Sequence, residues 1–263
     1  MRSSTLLLWM CATLAATKAE TIVFEFDSDS TIGVSGYVRV SYESPLHSGA
    51  KIKAKLNVHH LDMKALRAFD GNCTEKHAAI KEFKWQVNTK WTRAETSSGF
   101  EKCTASNVGG QYDPDMTCGA LSEHALTPQC AGKWKNYRCW PGNYQVKHSA
   151  CAVGDLSGKL GPLKPSWKGI ASGEWYDPLF PAFGDVKASW SIVLHAVCGK
   201  ATPPVACALG MKKEQEREEQ VDGTPIPELY DVDVEGDEFD DEDVGDQDEE
   251  AQLAMEYLIQ DYE

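Results

Sequence analysis

From residue 20 to residue 59 hydrophobic and polar positions alternate with a period of two. The segments Thr21-Ile22-Val23-Phe24-Glu25-Phe26, Gly36-Tyr37-Val38-Arg39-Val40-Ser41-Tyr42 and Lys51-Ile52-Lys53-Ala54-Lys55-Leu56-Asn57-Val58-His59 therefore read as strands, polar on one face and separated by polar turns. A further alternation over residues 83–91 puts Trp85, Val87 and Thr89 on one side and Gln86, Asn88 and Lys90 on the other. Read alone, it is a half-buried strand with a polar outer face. Met63-Lys64-Ala65-Leu66-Arg67-Ala68-Phe69 reads as a helical turn, and two partly apolar segments follow at 167–175 and 186–197. Many short strands, turn residues between them and little helix predict an all-β barrel or sandwich that ends with Val205-Ala206-Cys207-Ala208-Leu209.

Residues 103–151 do not fit either period. They hold Gly109-Gly110, Asp113-Pro114, Pro141-Gly142 and five cysteines. So long an irregular stretch needs an ordering device, and disulfides supply one. At the N-terminus, Arg2 precedes Leu6-Leu7-Leu8-Trp9-Met10-Cys11-Ala12 and small residues run to Ala19, the pattern of a signal peptide over 1–19. That apolar run is too short to span a bilayer. Its removal takes away Cys11 and leaves Cys73, Cys103, Cys118, Cys130, Cys139, Cys151, Cys198 and Cys207, an even set for four disulfides in an oxidising compartment. Their spacings lack the paired CxxC knuckles of structural zinc. Asn72-Cys73-Thr74 is an N-glycosylation acceptor, which places Asn72 on a surface loop.

Charge divides the chain. Residues 211–263 carry 22 acidic and three basic side chains, whereas residues 1–210 carry 18 and 23, so the formal charge of −14 belongs to the C-terminal segment. This balance argues against nucleic acid as a partner and for cations or basic surfaces. Such dense like charge predicts a disordered acidic tail over 211–263, with a helical start at Lys212-Lys213-Glu214-Gln215-Glu216-Arg217-Glu218-Glu219. Carboxylate runs without the glycine and spacing of an EF-hand predict weak, multiple binding of calcium. Tyr230, Tyr257 and Tyr262 lie in acidic contexts that permit sulfation, and residues 253–259 have the pattern of a short amphipathic helix for a partner.

Four segments taken in order resemble the copper/zinc superoxide dismutase family, especially its secreted copper-only branch. They are Trp85-Gln86-Val87-Asn88-Thr89-Lys90-Trp91; Gly109-Gly110-Gln111-Tyr112-Asp113-Pro114; Cys151-Ala152-Val153-Gly154-Asp155-Leu156-Ser157-Gly158-Lys159-Leu160-Gly161; and Ser191-Ile192-Val193-Leu194-His195-Ala196 followed by Val205-Ala206-Cys207. The resemblance implies an eight-stranded Greek-key β-barrel over residues 20–210, with long disulfide-tied loops and a copper ion held by four histidines. Carried onto this chain, the ligand positions are Gln86, Asn88, Gln111 and His195, so His195 alone keeps an imidazole. At the implied zinc subsite Gln111 and Ala152 stand where histidines belong, and Asp155 matches; in a copper-only relative Asp155 becomes an anchor for its loop. Pro204 stands where the resemblance implies an anion-guiding arginine. It also implies a Cys103–Cys207 bridge, while the other six mature cysteines allow fifteen pairings.

A carboxamide is a feeble copper ligand, and one imidazole cannot hold the ion. Gln and Asn keep hydrogen-bonding capacity, so the pocket is expected to fill with an amide network. The reading is a secreted, non-catalytic superoxide dismutase-like protein without a cofactor, whose acidic tail engages calcium, mineral surfaces or basic extracellular proteins. The alternative is an active extracellular copper-only dismutase using His195 with His59 or His60, although adjacent strand residues face opposite ways and do not readily share one ion. A third reading, a metal carrier using His77, His124 and His148, has no supporting spacing.

Overall fold

The computed structural model describes residues 20–29, 31–74, 79–92 and 99–214. Residues 1–19, read above as a signal peptide, His77 and the acidic segment from residue 215 onward lie outside the described residues, and so do the expectations that fall on them.

Seven strands form one antiparallel sheet: β1 (Glu20–Phe26), β2 (Ser35–Tyr42), β3 (Ala50–Asn57), β4 (Phe83–Asn88), β5 (Ile170–Asp177), β6 (Ser191–Ala196) and β7 (Pro204–Glu214). Their order across the sheet is β4-β6-β7-β1-β2-β3-β5. The β1-β2-β3 meander follows directly from the alternation: Ile22, Phe24, Val38, Val40, Ile52, Ala54 and Leu56 are buried on one face, while Lys51, Lys53 and Lys55 point to solvent. The chain then crosses between the two halves of the sheet three times, from β3 to β4, from β4 to β5 and from β5 to β6. Trp85 on β4 and Trp175 on β5 belong to opposite edges, yet their ring centroids are 5.1 Å apart, so the sheet curls until its edges meet. Phe83, Trp85 and Val87 join Ile192, Leu194 and Phe24 in the core inside this curl.

Eight strands are expected and seven are present among the described residues; the place beside β4 that an eighth would take is filled piecemeal. Phe83 exchanges both backbone hydrogen bonds with Leu163, at 2.8 and 2.9 Å. The backbone N–H and C=O of Trp85 are both met by the Ser157 hydroxyl. Val87 donates to Gly154 O and accepts from Tyr112 N, each at 2.9 Å. A sheet edge must satisfy or protect its polar groups, and here loops do the work of a neighbour strand. Gly154 is required by this arrangement, since a Cβ there would lie 2.7 Å from Val87 O and 2.9 Å from Tyr112 N.

Two boundaries differ from expectation. The alternation over 83–91 forms strand only to Asn88, because the backbone beyond turns to bond Gly110 O and Val108 O. At the other end β7 continues past Gly210: Lys212 pairs in register with Ile22, Lys213 with Thr21 and Glu214 with Glu20. Lys212, Lys213 and Glu214 are thus strand rather than the start of a helix, because β1 offers an open edge. The helical turn expected at residues 63–69 is α1 (Met63–Phe69), capped by the Asp62 carboxylate, which accepts from Ala65 N at 2.8 Å. No helix among the described residues is long and apolar enough to cross a membrane.

Candidate functional site

The face of β4 opposite the core is where the unusual chemistry lies. Gln86 and Asn88 share it, being two residues apart, and β6 contributes Val193 beside Gln86 and His195 beside Lys84. Instead of meeting solvent, this face is covered by the β4–β5 connection, which includes α2 (Ala105–Val108). A disulfide between Cys103 and Cys207 fastens that connection to β7, and Cys118–Cys130 and Cys139–Cys151 close smaller loops within it. Gln86, Asn88, Gln111 and His195 are all buried, so the polar outer face expected of this strand is an enclosed one.

Inside, the three amides form a directed chain. Gln111 Nε2 donates to Gln86 Oε1 (3.2 Å), Gln86 Nε2 donates to Asn88 Oδ1 (2.9 Å), and Asn88 Nδ2 donates to Gly109 O (2.8 Å). Gln111 is delivered by a short bridge to Asn88, with its own N–H bonded to Leu121 O at 2.7 Å. Gln86 and Asn88 each give and accept, which a buried amide needs in order to offset its desolvation, and Gln111 gives. The side-chain oxygens of Gln86 and Asn88 are engaged by neighbouring N–H groups.

His195 stands outside this chain. Its Nδ1 lies 3.0 Å from Thr202 O, an acceptor, so Nδ1 carries the proton and Nε2 the lone pair. Nε2 is buried without a partner among the described residues. Burial, with the Lys84 charge adding to it against the opposing Thr202 bond, lowers the imidazole pKa from 6.5 to about 4. His195 is therefore neutral at physiological pH. The donor set of three mutually bonded amides and one imidazole does not fit a copper ion, and no group of three or more His, Cys, Asp or Glu residues among the described residues could hold a metal.

Other candidates fall elsewhere. His59 and His60 pack edge to face on each other with centroids 5.0 Å apart, on the exposed turn after β3. His124 lies beside Glu123, and His148 rests against Tyr144. Asn72 is exposed and its amide donates to Asp70 Oδ1 at 2.8 Å, while Cys73 beneath it bonds Cys198. Asp155 accepts from Gly158 N at the start of α4 (Leu156–Leu160) and from Tyr137 OH, both at 2.8 Å, and so anchors its loop. Burial raises its pKa.

Sequence reasoning missed two buried acids. Asp113 accepts from Thr117 N and Oγ1, Cys118 N and Ser122 Oγ; burial pushes its pKa up, but these bonds outweigh that and hold it below the usual carboxylate range. Asp177, at the end of β5, pairs with the enclosed ammonium of Lys159 and accepts from Tyr144 OH at 2.6 Å. Asp113-Pro114 is a turn signal that hides the first. The second joins residues 18 positions apart with no local pattern.

No family model matches the chain, and no curated protein matches it. Among solved structures it is similar to superoxide dismutase 5 of Candida albicans. In its Cu(II) form that protein is 18% identical with a TM-score of 0.43, the match covering 79% of this chain and 99% of the other. A point mutant of the same protein is 16% identical with a TM-score of 0.46, covering 77% and 97%.

Proposed function

We propose that this chain is a secreted, non-catalytic protein that uses a superoxide dismutase-like barrel as a scaffold, and that its acidic segment engages calcium, a mineral surface or basic extracellular proteins. The observation that carries the reading is the amide chain Gln111–Gln86–Asn88, ending on Gly109 O, whose three side chains stand where the sequence resemblance places imidazoles. Four disulfides and the leader pattern at 1–19 support an extracellular compartment. The charge of residues 211–263 supports a cationic partner.

The second reading, a copper-dependent dismutase, draws support from the free Nε2 of His195. It needs further nitrogen ligands, and the residue paired with His195 across β4 is Lys84, while Val193 shares its face of β6, so neither neighbour is an imidazole. The two readings separate on one measurement: the copper content of protein purified from its natural source and dialysed against a mild chelator, with a dismutase assay on the same sample. The scaffold reading expects neither copper nor activity, and stoichiometric copper overturns it.

A further inference from the structure

Where the two edges of the curled sheet meet, β4 and β5 do not pair with each other; the start of β4 is instead bridged at Phe83 to Leu163, in the connection that leads into β5. Beside that bridge the seam opens into a cavity of about 530 Å³, within the range of small-molecule sites. Its floor is apolar, made by Val58, Leu61, Met63, Ile80 and Phe83. Phe83 and Ile80 are buried in the core, so the floor is continuous with the interior of the protein. Part of the backbone around it is paired, with Val58 N bonded to Gly169 O at 2.8 Å and Ser166 N to Ile170 O at 2.9 Å.

The mouth has the opposite character. Lys81 and Lys164 stand on it with His59, and none of the described residues lining the cavity is acidic. Among the described residues the ion-pair partner of Lys164 is a distant one, Glu82 at 3.9 Å, with the lysine side chain 70% exposed. An apolar floor below two ammonium groups selects a molecule with an apolar body and an anionic head. The body removes floor surface from water, and the head meets a charge-assisted bond at the rim.

We infer that this seam cavity binds a small anionic amphiphile, of the class of a long-chain carboxylate, at a site separate from the amide face. It is built from the ends of β3 and β4 and the connection into β5, and its occupancy does not depend on whether the barrel ever holds a metal.

The test is calorimetric titration of the full chain with decanoate, decanol and decyltrimethylammonium below their micellar concentrations. Decanoate is expected to bind with one-to-one stoichiometry and a negative heat-capacity change. Decanol is expected to bind roughly tenfold more weakly, and the cation not at all. Lys81→Glu with Lys164→Glu, both exposed, should remove the preference for decanoate over decanol while leaving the melting temperature in place. An independent readout is protection of Lys81 and Lys164 from acetylation by bound decanoate, with Lys51 as the exposed reference. Absence of saturable binding, many weak sites per chain, equal affinity for the cation, or unchanged acetylation of both lysines overturns the inference.

Discussion

Trp85 and Trp175 sit on strands at the two ends of the sheet order and still stack at a centroid distance of 5.1 Å. Trp85 is fully enclosed, and its indole N–H donates to Gly161 O at 2.8 Å, so it ties β4, β5 and the end of α4 together. Removal of such a side chain leaves a cavity that rigid strands cannot fill. Trp85→Ala is expected to cost about 3–5 kcal/mol, and Trp85→Phe less. Urea denaturation of the two variants checks this; a loss below about 1 kcal/mol for Trp85→Ala would mean the edges are held by other contacts.

The amide chain makes a prediction that separates geometry from ligand chemistry. Gln86 and Asn88 share a face of β4, Gln111 is bonded to Gln86, and His195 on the adjacent β6 lies diagonal to Gln86. Replacing Gln86, Asn88 and Gln111 together by His should therefore create a nitrogen-rich site that takes up one Cu(II), read by metal analysis and by its electron paramagnetic resonance signal. His195→Asn added to the triple variant should weaken that uptake. A folded triple variant that gains no copper would show that the four positions do not converge.

His195 itself makes stability depend on acidity. In the unfolded chain the imidazole titrates near 6.5, whereas in the fold burial holds it at about 4. Between those values the unfolded state binds more protons, so stability is intact above pH 6.5 and falls as the pH is lowered towards 4. The full effect is of the order of 3 kcal/mol. Chemical denaturation of wild type and His195→Gln at pH 7 and pH 4.5 checks the sign: the wild type should lose more stability than the variant over that interval.

Part of the barrel was legible because β2 and β3 bury one face only, so their period-two pattern survives in the sequence. Gln86 and Asn88 were legible as a pair for the same reason, but not as enclosed groups, because their cover comes from a connection that shows no period. The Lys159–Asp177 pair was invisible. An isolated lysine in an LSGKL stretch and an aspartate at a strand end give no sign that each side chain is at most 1% exposed. Burial lowers the Lys159 pKa, and the nearby Asp177 charge opposes that. Breaking a buried pair strands a charge, so Asp177→Asn is expected to cost about 3–5 kcal/mol. Asp177→Asn combined with Lys159→Met should recover part of this loss, as a double-mutant cycle in urea would show.

The last prediction concerns the acidic segment, and the fold changes how it must be tested. A chain ended at Gly210 would remove the register partners of Glu20, Thr21, Ile22 and Val23, so any loss of function would be confounded by damage to β1. Ending the chain at Glu214 keeps every one of those pairs. Residues 215–263 then carry away 21 acidic side chains and one basic one. Carboxylates at that density attract divalent cations over monovalent ones, and a sequence without the glycine and ligand spacing of an EF-hand is expected to bind each ion weakly, with a dissociation constant on the order of millimolar. Calcium titration followed by calorimetry should register several ions per full-length chain and almost none on the chain ended at Glu214, while both unfold at the same urea concentration. Equal calcium uptake by the two forms would place the cation sites on the barrel, and no uptake by either would leave the acidic segment without a role in binding calcium.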